Sequence, residues 1–189
     1  MSGRMKRKIA LAAAAVFLTM AGCGGGKEEI YPLSVDGTEI MLDQTTMQTI
    51  YDAGFEVSVM DTSIGSVQWY EVEADMPLDA DSVYTGIYIG KGGEPYAVIG
   101  IVTEEACAVR DGVVYSFMSA EGGLDKISIA SVPLAELTGE KALEIEERLE
   151  AGEDGQSYVT DSRILRITRE SGAVTELEVE VRYDIDDMQ

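Results

Sequence analysis

Glu176 to Tyr183 reads Glu-Leu-Glu-Val-Glu-Val-Arg-Tyr, so every second side chain is apolar and those between are charged. In a strand, successive side chains point to opposite faces. This puts Leu177, Val179, Val181 and Tyr183 on one face and Glu176, Glu178, Glu180 and Arg182 on the other. A chain that ends this way supplies a sheet with one wet face and one face in need of cover. Leu165 and Ile167 form the matching face of the preceding strand. A two-residue Ser171-Gly172 loop would pair odd with even positions and mismatch the faces. A three-residue Glu170-Ser171-Gly172 loop, with Gly172 left-handed in a G1 bulge, pairs Leu165 with Leu177 and Arg166 with Glu176, and that register is expected.

The same period opens the folded part. Tyr31, Leu33 and Val35 alternate with polar residues, Asp36-Gly37 supplies a two-residue turn, and Ile40 and Leu42 resume the alternation. This loop pairs Val35 with Thr38, Leu33 with Ile40 and Tyr31 with Leu42, so the apolar residues share one face. Further strands are expected over 67–73, 83–89, 96–102, 106–109, 113–118 and 126–130, separated by turn signals such as Gly90 to Pro95, Arg110-Asp111-Gly112 and Glu121-Gly122-Gly123. Tyr96 to Val102 is apolar on both faces, which suits a central strand covered on both sides.

Two helices are the expected cover. Thr45 and Gln48 have capping-box spacing, Met47, Ile50 and Tyr51 make an i, i+3, i+4 stripe, and Gly54 stands where a left-handed C-cap is wanted. A longer helix is expected over 138–151, with Ala142, Ile145 and Leu149 on one face, a Glu144–Arg148 pair, and Gly152 at its end. The fold class expected is therefore α+β: an antiparallel β-sheet of about six or more strands covered by one long and one short helix.

Charge limits what such a domain can do. The 189 residues hold 35 Asp or Glu against 14 Lys or Arg, a net charge of -21, and no His. Without His there is no Ser-His-Asp or Cys-His pair and no His-ligated zinc. A chain this acidic is not expected to bind nucleic acid, because a phosphate backbone needs a basic surface to release counterions. The 46% hydrophobic content separates it from acidic disordered chains.

Four of the 14 basic residues stand together at the start. Arg4, Lys6, Arg7 and Lys8 precede a run of 12 largely apolar residues, Ile9 to Met20. A bilayer span needs about 20, so this run reads as the h-region of a signal peptide. Met20-Ala21-Gly22-Cys23 resembles the lipobox of bacterial lipoprotein precursors, with Met where Leu is usual. The resemblance implies cleavage before Cys23, acylation of Cys23 (palmitate is the expected chain) and attachment to the cell membrane on its extracytoplasmic face. Two or three chains, at about 0.8 kcal/mol per buried methylene, make a stable anchor where one does not.

The expected organisation is a signal peptide at 1–22, the lipidated Cys23 with a flexible tether to residue 30, and a single domain over 31–189. Removal of residues 1–22 takes away four basic residues and no acidic ones, leaving the mature chain at -25. With Cys23 acylated, Cys107 has no disulfide partner, and the core alone must hold the fold.

A second resemblance lies in Val35-Asp36-Gly37-Thr38-Glu39-Ile40 and Thr45-Thr46-Met47-Gln48-Thr49-Ile50-Tyr51-Asp52-Ala53-Gly54-Phe55. A hairpin with a D-G turn leading to a short helix that ends in A-G-aromatic is similar to the opening of uncharacterised surface lipoproteins of Gram-positive gut bacteria. It implies a surface lipoprotein and assigns no activity.

Residues that could carry chemistry are few in pattern if not in number. Asp75, Asp79 and Asp81, then Glu150, Glu153 and Asp154, then Asp184, Asp186 and Asp187 gather acids, but none follows the calcium-loop pattern, and no metal or cofactor is expected. Paired carboxylates at glycosidase spacing arise by chance among 35 acids. Lys126 and Ser128 share a strand face without the turn a nucleophile needs, and Cys107 among Ala106, Ala108 and Val109 reads as a core thiol. No catalytic residue is assigned.

Trp69, Tyr70, Tyr84, Tyr88, Tyr96 and Tyr115 all fall in the central strands. Aromatics are favoured in strands for packing alone, yet Tyr and Trp on an open face also stack against sugar or peptide. Trp69, Tyr70, Tyr84 and Tyr88 are the candidate binding residues. The leading reading is a membrane-anchored, non-catalytic binding or envelope-assembly module with a protein or glycan partner. The alternatives are a small carboxylate- or metal-dependent hydrolase of the envelope and a structural envelope protein that binds divalent cations.

Overall fold

The computed structural model describes residues 32–63, 66–138, 141, 150–151, 155–159 and 163–181. Tyr31, Arg182 and Tyr183 of the alternating runs, Cys23 with the expected signal peptide, and the acids Glu153, Asp154, Asp184, Asp186 and Asp187 lie outside them.

β1 (Leu33–Val35) and β2 (Thr38–Ile40) form the opening hairpin in the expected register, Val35 opposite Thr38 and Leu33 opposite Ile40. Asp36 and Gly37 both take positive φ, 47° and 80°, as a type I′ turn demands. Helix α1 (Met47–Asp52) follows, with Met47 and Ile50 buried. Its N-cap is Thr46; the Thr45 hydroxyl instead accepts the Met41 N–H at 2.8 Å, so the capping box does not form. The helix ends as its sequence implies: Gly54 has φ 75°, its N–H donates to the Tyr51 carbonyl, and the Phe55 N–H donates to that of Ile50.

The remaining elements are strands joined by turns and single 3₁₀ turns. They are β3 (Glu56–Asp61), β4 (Gln68–Glu71), β5 (Pro77–Leu78), β6 (Ser82–Lys91), β7 (Glu94–Thr103), β8 (Cys107–Ala108), β9 (Val113–Ser119), β10 (Ile127–Ile129), β11 (Val132–Pro133), β12 (Glu150–Ala151), β13 (Gly155–Val159), β14 (Arg163–Glu170) and β15 (Ala173–Val181). Nine of them make one antiparallel sheet in the order β12-β13-β14-β15-β9-β7-β6-β3-β4. A second sheet, β11-β10-β1-β2, has four strands, and β5 pairs with β8.

Two rows of residues in direct register summarise the large sheet. Val59, Ile87, Ile99, Phe117, Val179 and Leu165 follow one another across β3, β6, β7, β9, β15 and β14, and all but Val59 are buried. The neighbouring row, Glu71, Ser58, Tyr88, Val98, Met118, Glu178 and Arg166, runs from β4 to β14 on the opposite face, and none of its members is buried. The first face joins Leu33, Val35, Ile40, Ile127 and Ile129 of the small sheet, with Met47 and Ile50 of α1, in one continuous core. Among the described residues the sheet is covered on one face and open on the other.

This corrects the α+β expectation: the protein is mostly antiparallel β, and the described residues contain one short α-helix. The covering layer is a second sheet, because β1, β2 and β10 together present an apolar face that closes sheet on sheet. Of the long helix expected over 138–151, Glu150 and Ala151 are in a strand paired with β13, while 139–140 and 142–149 lie outside the described residues. β7 is central as expected, and its outer face is largely buried, with Val102 5% exposed, without a second covering layer among the described residues. At its outer face Val98 is half-buried, and Gly100 is roofed from within the sheet: a Cβ there would stand 2.6 Å from the Tyr115 ring.

The final hairpin differs from its expected register by two residues. Ser171 and Gly172, with φ 52° and 88°, form a two-residue turn joining Glu170 to Ala173. The parity mismatch is cured by a bulge beyond it. Arg169 faces Val174 and Thr168 faces Glu176, so Thr175 is the extra residue; Leu165 meets Val179 and Ile167 meets Leu177. The apolar face is the expected one, but the extra residue sits in the strand and not in the loop.

Adjacent positions on β9 test the two-faced arrangement. Phe117 is 1% exposed and Met118 38%. Phe117→Ala is expected to lower stability in urea unfolding by about 3–5 kcal/mol, and Met118→Ala by no more than about 0.5 kcal/mol, the usual range for a surface change. Equal losses would mean that the outer face is covered.

Candidate functional site

The uncovered face of the large sheet is most sharply shaped at its β4 edge. Trp69 on β4 stands opposite Met60 on β3 and meets the Tyr88 ring of β6 edge to face, with centroids 4.7 Å apart and planes at 85°. Trp69 remains 49% exposed and Met60 41%. Beside them lies a groove of about 580 Å³ lined by Glu56, Ser58, Trp69, Glu71, Tyr88 and Glu94, with Gly90 and Pro95 adding backbone.

The groove owes its shape to local backbone chemistry. Lys91 pairs with Glu94 across Gly92 and Gly93, whose φ values of 63° and 77° again make a two-residue primed turn. The Glu56 carboxylate reaches over from β3 and accepts both turn N–H groups, at 3.1 Å from Gly92 and 2.8 Å from Gly93. Past the turn a bulge leaves Tyr96 between Pro95 and Ala97 without a partner on β6. Tyr96 thereby turns into the core against Phe55. Gly90 is required at this point, since a Cβ there would collide with the Glu94 carbonyl.

Of the four aromatics expected to bind, the structure brings together two. Trp69 and Tyr88 share the groove. Tyr70, although also about half exposed, points to the opposite face of β4, where its hydroxyl donates to Gln68 Oε1 at 2.6 Å. Tyr84 faces the core side, because Thr85 and Gly86, the latter at φ 73°, form a bulge that reverses its parity relative to Tyr88. Its hydroxyl accepts the Asp79 N–H at 2.8 Å. The alternation of Gln68-Trp69-Tyr70-Glu71 already forbids Trp69 and Tyr70 from sharing a face and puts Glu71 beside Trp69. That signal was there to be read. Glu56 and Glu94 reach the groove only through the three-strand register, for which no local signal exists.

Electrostatics here are one-sided. Glu56, Glu71 and Glu94 line the groove without a Lys or Arg among its described lining, and Lys91 is engaged elsewhere, with Asp36 at 2.8 Å and the Phe55 ring at 4.6 Å. Burial, reinforced by the charge of Glu71, pushes the Tyr51 hydroxyl up to about 12; this hydroxyl donates to the Val72 carbonyl and stays protonated. Asp61 and Asp125 are held below the usual carboxylate range by hydrogen bonds from Ser63 and Lys126, opposite to the shift a general acid needs.

The other candidates do not assemble into sites. Asp75 pairs with Arg110, Lys126 with Asp125, and Ser128 faces Ser34 across β1. No group of three or more His, Cys, Asp or Glu among the described residues is arranged to hold a metal ion. A second recess of about 500 Å³ is lined by Asp43, Thr103, Glu104, Glu105, Cys107 and Asp111. Burial, and then Asp111, raises the Cys107 thiol, which keeps it from the thiolate form a nucleophile needs. Comparison with protein-family models, with curated proteins and with solved structures gives no match.

The Cys107 shift has a direct consequence. In Cys23→Ser chain, iodoacetamide should alkylate folded Cys107 more slowly than urea-unfolded Cys107 at pH 8, because the raised value leaves less thiolate. The gap should narrow as pH climbs past the folded value. Faster reaction in the folded chain would restore Cys107 as a candidate nucleophile.

Proposed function

We propose that the chain is a membrane-anchored, extracytoplasmic lipoprotein that works as a non-catalytic binding or assembly module, with the outer face of the large sheet around Trp69 and Tyr88 as its binding surface. The supporting observation is the exposure of that face: Met60, Trp69 and Met118 are each more than a third exposed, while the inner faces of β3 and β9 contribute Val57, Val114 and Phe117 to the core. Large apolar side chains grouped on one open face are a costly arrangement for an isolated domain and a useful one for a binding surface. The edge-to-face contact with Tyr88 holds the indole in place before anything binds, so little side-chain freedom is lost on association.

Cys23 is the proposed point of attachment. The mature charge of -25 would be repelled by an anionic membrane surface, so lipid and not electrostatics holds the protein there. The glycine tether at 24–26 lets the domain stand away from it.

Two variants test the two halves of this proposal. Cys23→Ser should move the protein from the membrane to the soluble fraction, and retention through the same extraction would remove the anchor. In pull-downs from envelope extract, Trp69→Ala should recover a specific partner at least about tenfold less well than wild type, the loss expected of an aromatic hot spot. Tyr70→Ala, one residue away but on the opposite face, should recover it normally. Equal recovery by Trp69→Ala would dismiss this face as the binding surface.

A further inference from the structure

From the charge and shape of the groove we infer that its occupant is an arginine-bearing extended segment of a basic protein partner. The inference rests on reading this face as a binding surface and adds what it binds. Glu56 and Glu71 converge on the groove beside Trp69 and Tyr88, Glu94 borders it at the β6–β7 turn with its side chain beside Gly122, and none of the three has an ion-pair partner among the described residues. Glu56 is fixed by the two glycine N–H groups and still has acceptor capacity, since a carboxylate takes up to about four hydrogen bonds.

Charge selects among the possible occupants. A second copy of this chain would bring a like charge of -25 and the same three carboxylates to the contact. Nucleic acid and an anionic lipid surface carry the same sign and are disfavoured for the same reason. A cation remains. Beside an indole and a phenol ring, the guanidinium group matches the site better than an ammonium, because its plane stacks on aromatic faces while its N–H fork bonds carboxylates. The groove lies on an open sheet face between the β4 edge and the β6–β7 turn, so a chain can pass along it with its arginine turned inward.

Trp69 is the sole tryptophan, so its fluorescence reports on this site alone. The full chain in non-ionic detergent is titrated with acetyl-Gly-Val-Arg-Val-Gly-amide and with the same peptide carrying citrulline, the neutral isostere, in place of arginine. Saturable change is expected with the arginine peptide, and about tenfold weaker binding with citrulline. The double variant Glu71→Gln/Glu94→Gln should weaken the arginine peptide by a similar factor. Asp43→Asn/Asp111→Asn, in the second acidic recess, should change it by less than about twofold; it controls for general attraction to an acidic protein. Circular dichroism and unfolding confirm that each variant is folded. Equal affinity for the two peptides, or no effect of the Glu71/Glu94 change, overturns the inference while leaving the binding surface standing. Absence of any saturable response to the arginine peptide overturns it as well, and recovery of a partner by wild type but not by Trp69→Ala then decides the binding surface separately.

Discussion

Ile99 and Phe117 lie opposite one another on β7 and β9, each 1% exposed, and the apolar row they centre is pressed against the small sheet and α1. That burial holds the molecule together. The chain carries a large excess of negative charge, and self-repulsion works against any compact state. The charges are kept at the surface by the alternation of the strands, which puts Glu176, Glu178 and Glu180 on the side away from Leu177, Val179 and Val181. One ion pair, Arg166 with Glu178, lies along the open row, but exposed pairs of this kind contribute little.

A nine-stranded sheet needs cover on its apolar face only, and the described residues supply one covering layer. The outer face therefore has to be tolerable in water. Over most of its width this is managed by charge on β14 and β15, and by Tyr115 folding down over Gly100. Toward β4 neither device operates. Trp69, Met60 and Tyr88 stay partly exposed, and the acids beside them have no ion-pair partner among the described residues. The functional proposal follows from this contrast within one face: the part with no internal solution is the part that has the properties of a binding surface.

Much of this was legible in the alternation of side chains. The opening hairpin, the central strands and the buried face of β14 and β15 all follow from period two and the turn residues. The departures in register and facing have one physical origin, the β-bulge. A bulge adds a residue without changing composition, so parity arguments fail silently at Thr175, at Thr85-Gly86 and at Tyr96. The last hairpin is displaced by two from its expected register, Tyr84 lies on the opposite face from Tyr88, and Tyr96 turns in to pack on Phe55. The helical cover was a different error. Short apolar strands such as Ile127–Ile129 were read as part of the sheet to be covered, when with β1 and β2 they are the cover. For the candidate site, Trp69 and Tyr88 could be found as aromatics on predicted strands. Glu71 follows Trp69 by alternation, whereas Glu56 and Glu94 could not be found, because they reach the groove only through the pairings of β3 with β4, β3 with β6 and β6 with β7.

The central claim is that one face of the large sheet is sealed and the other open. Methionine reports on this at three well-chosen places: Met47 is fully buried on the sealed side, whereas Met60 and Met118 lie on the open one. Residue-resolved mass spectrometry of the native full chain exposed to hydrogen peroxide measures the rates. Met60 and Met118 should oxidise at rates close to those in the unfolded chain, and Met47 should be slower by an order of magnitude or more, since oxidation follows access to the thioether. Protection of Met60 and Met118 equal to that of Met47 would contradict the account, because it would mean that another layer covers the face proposed for binding.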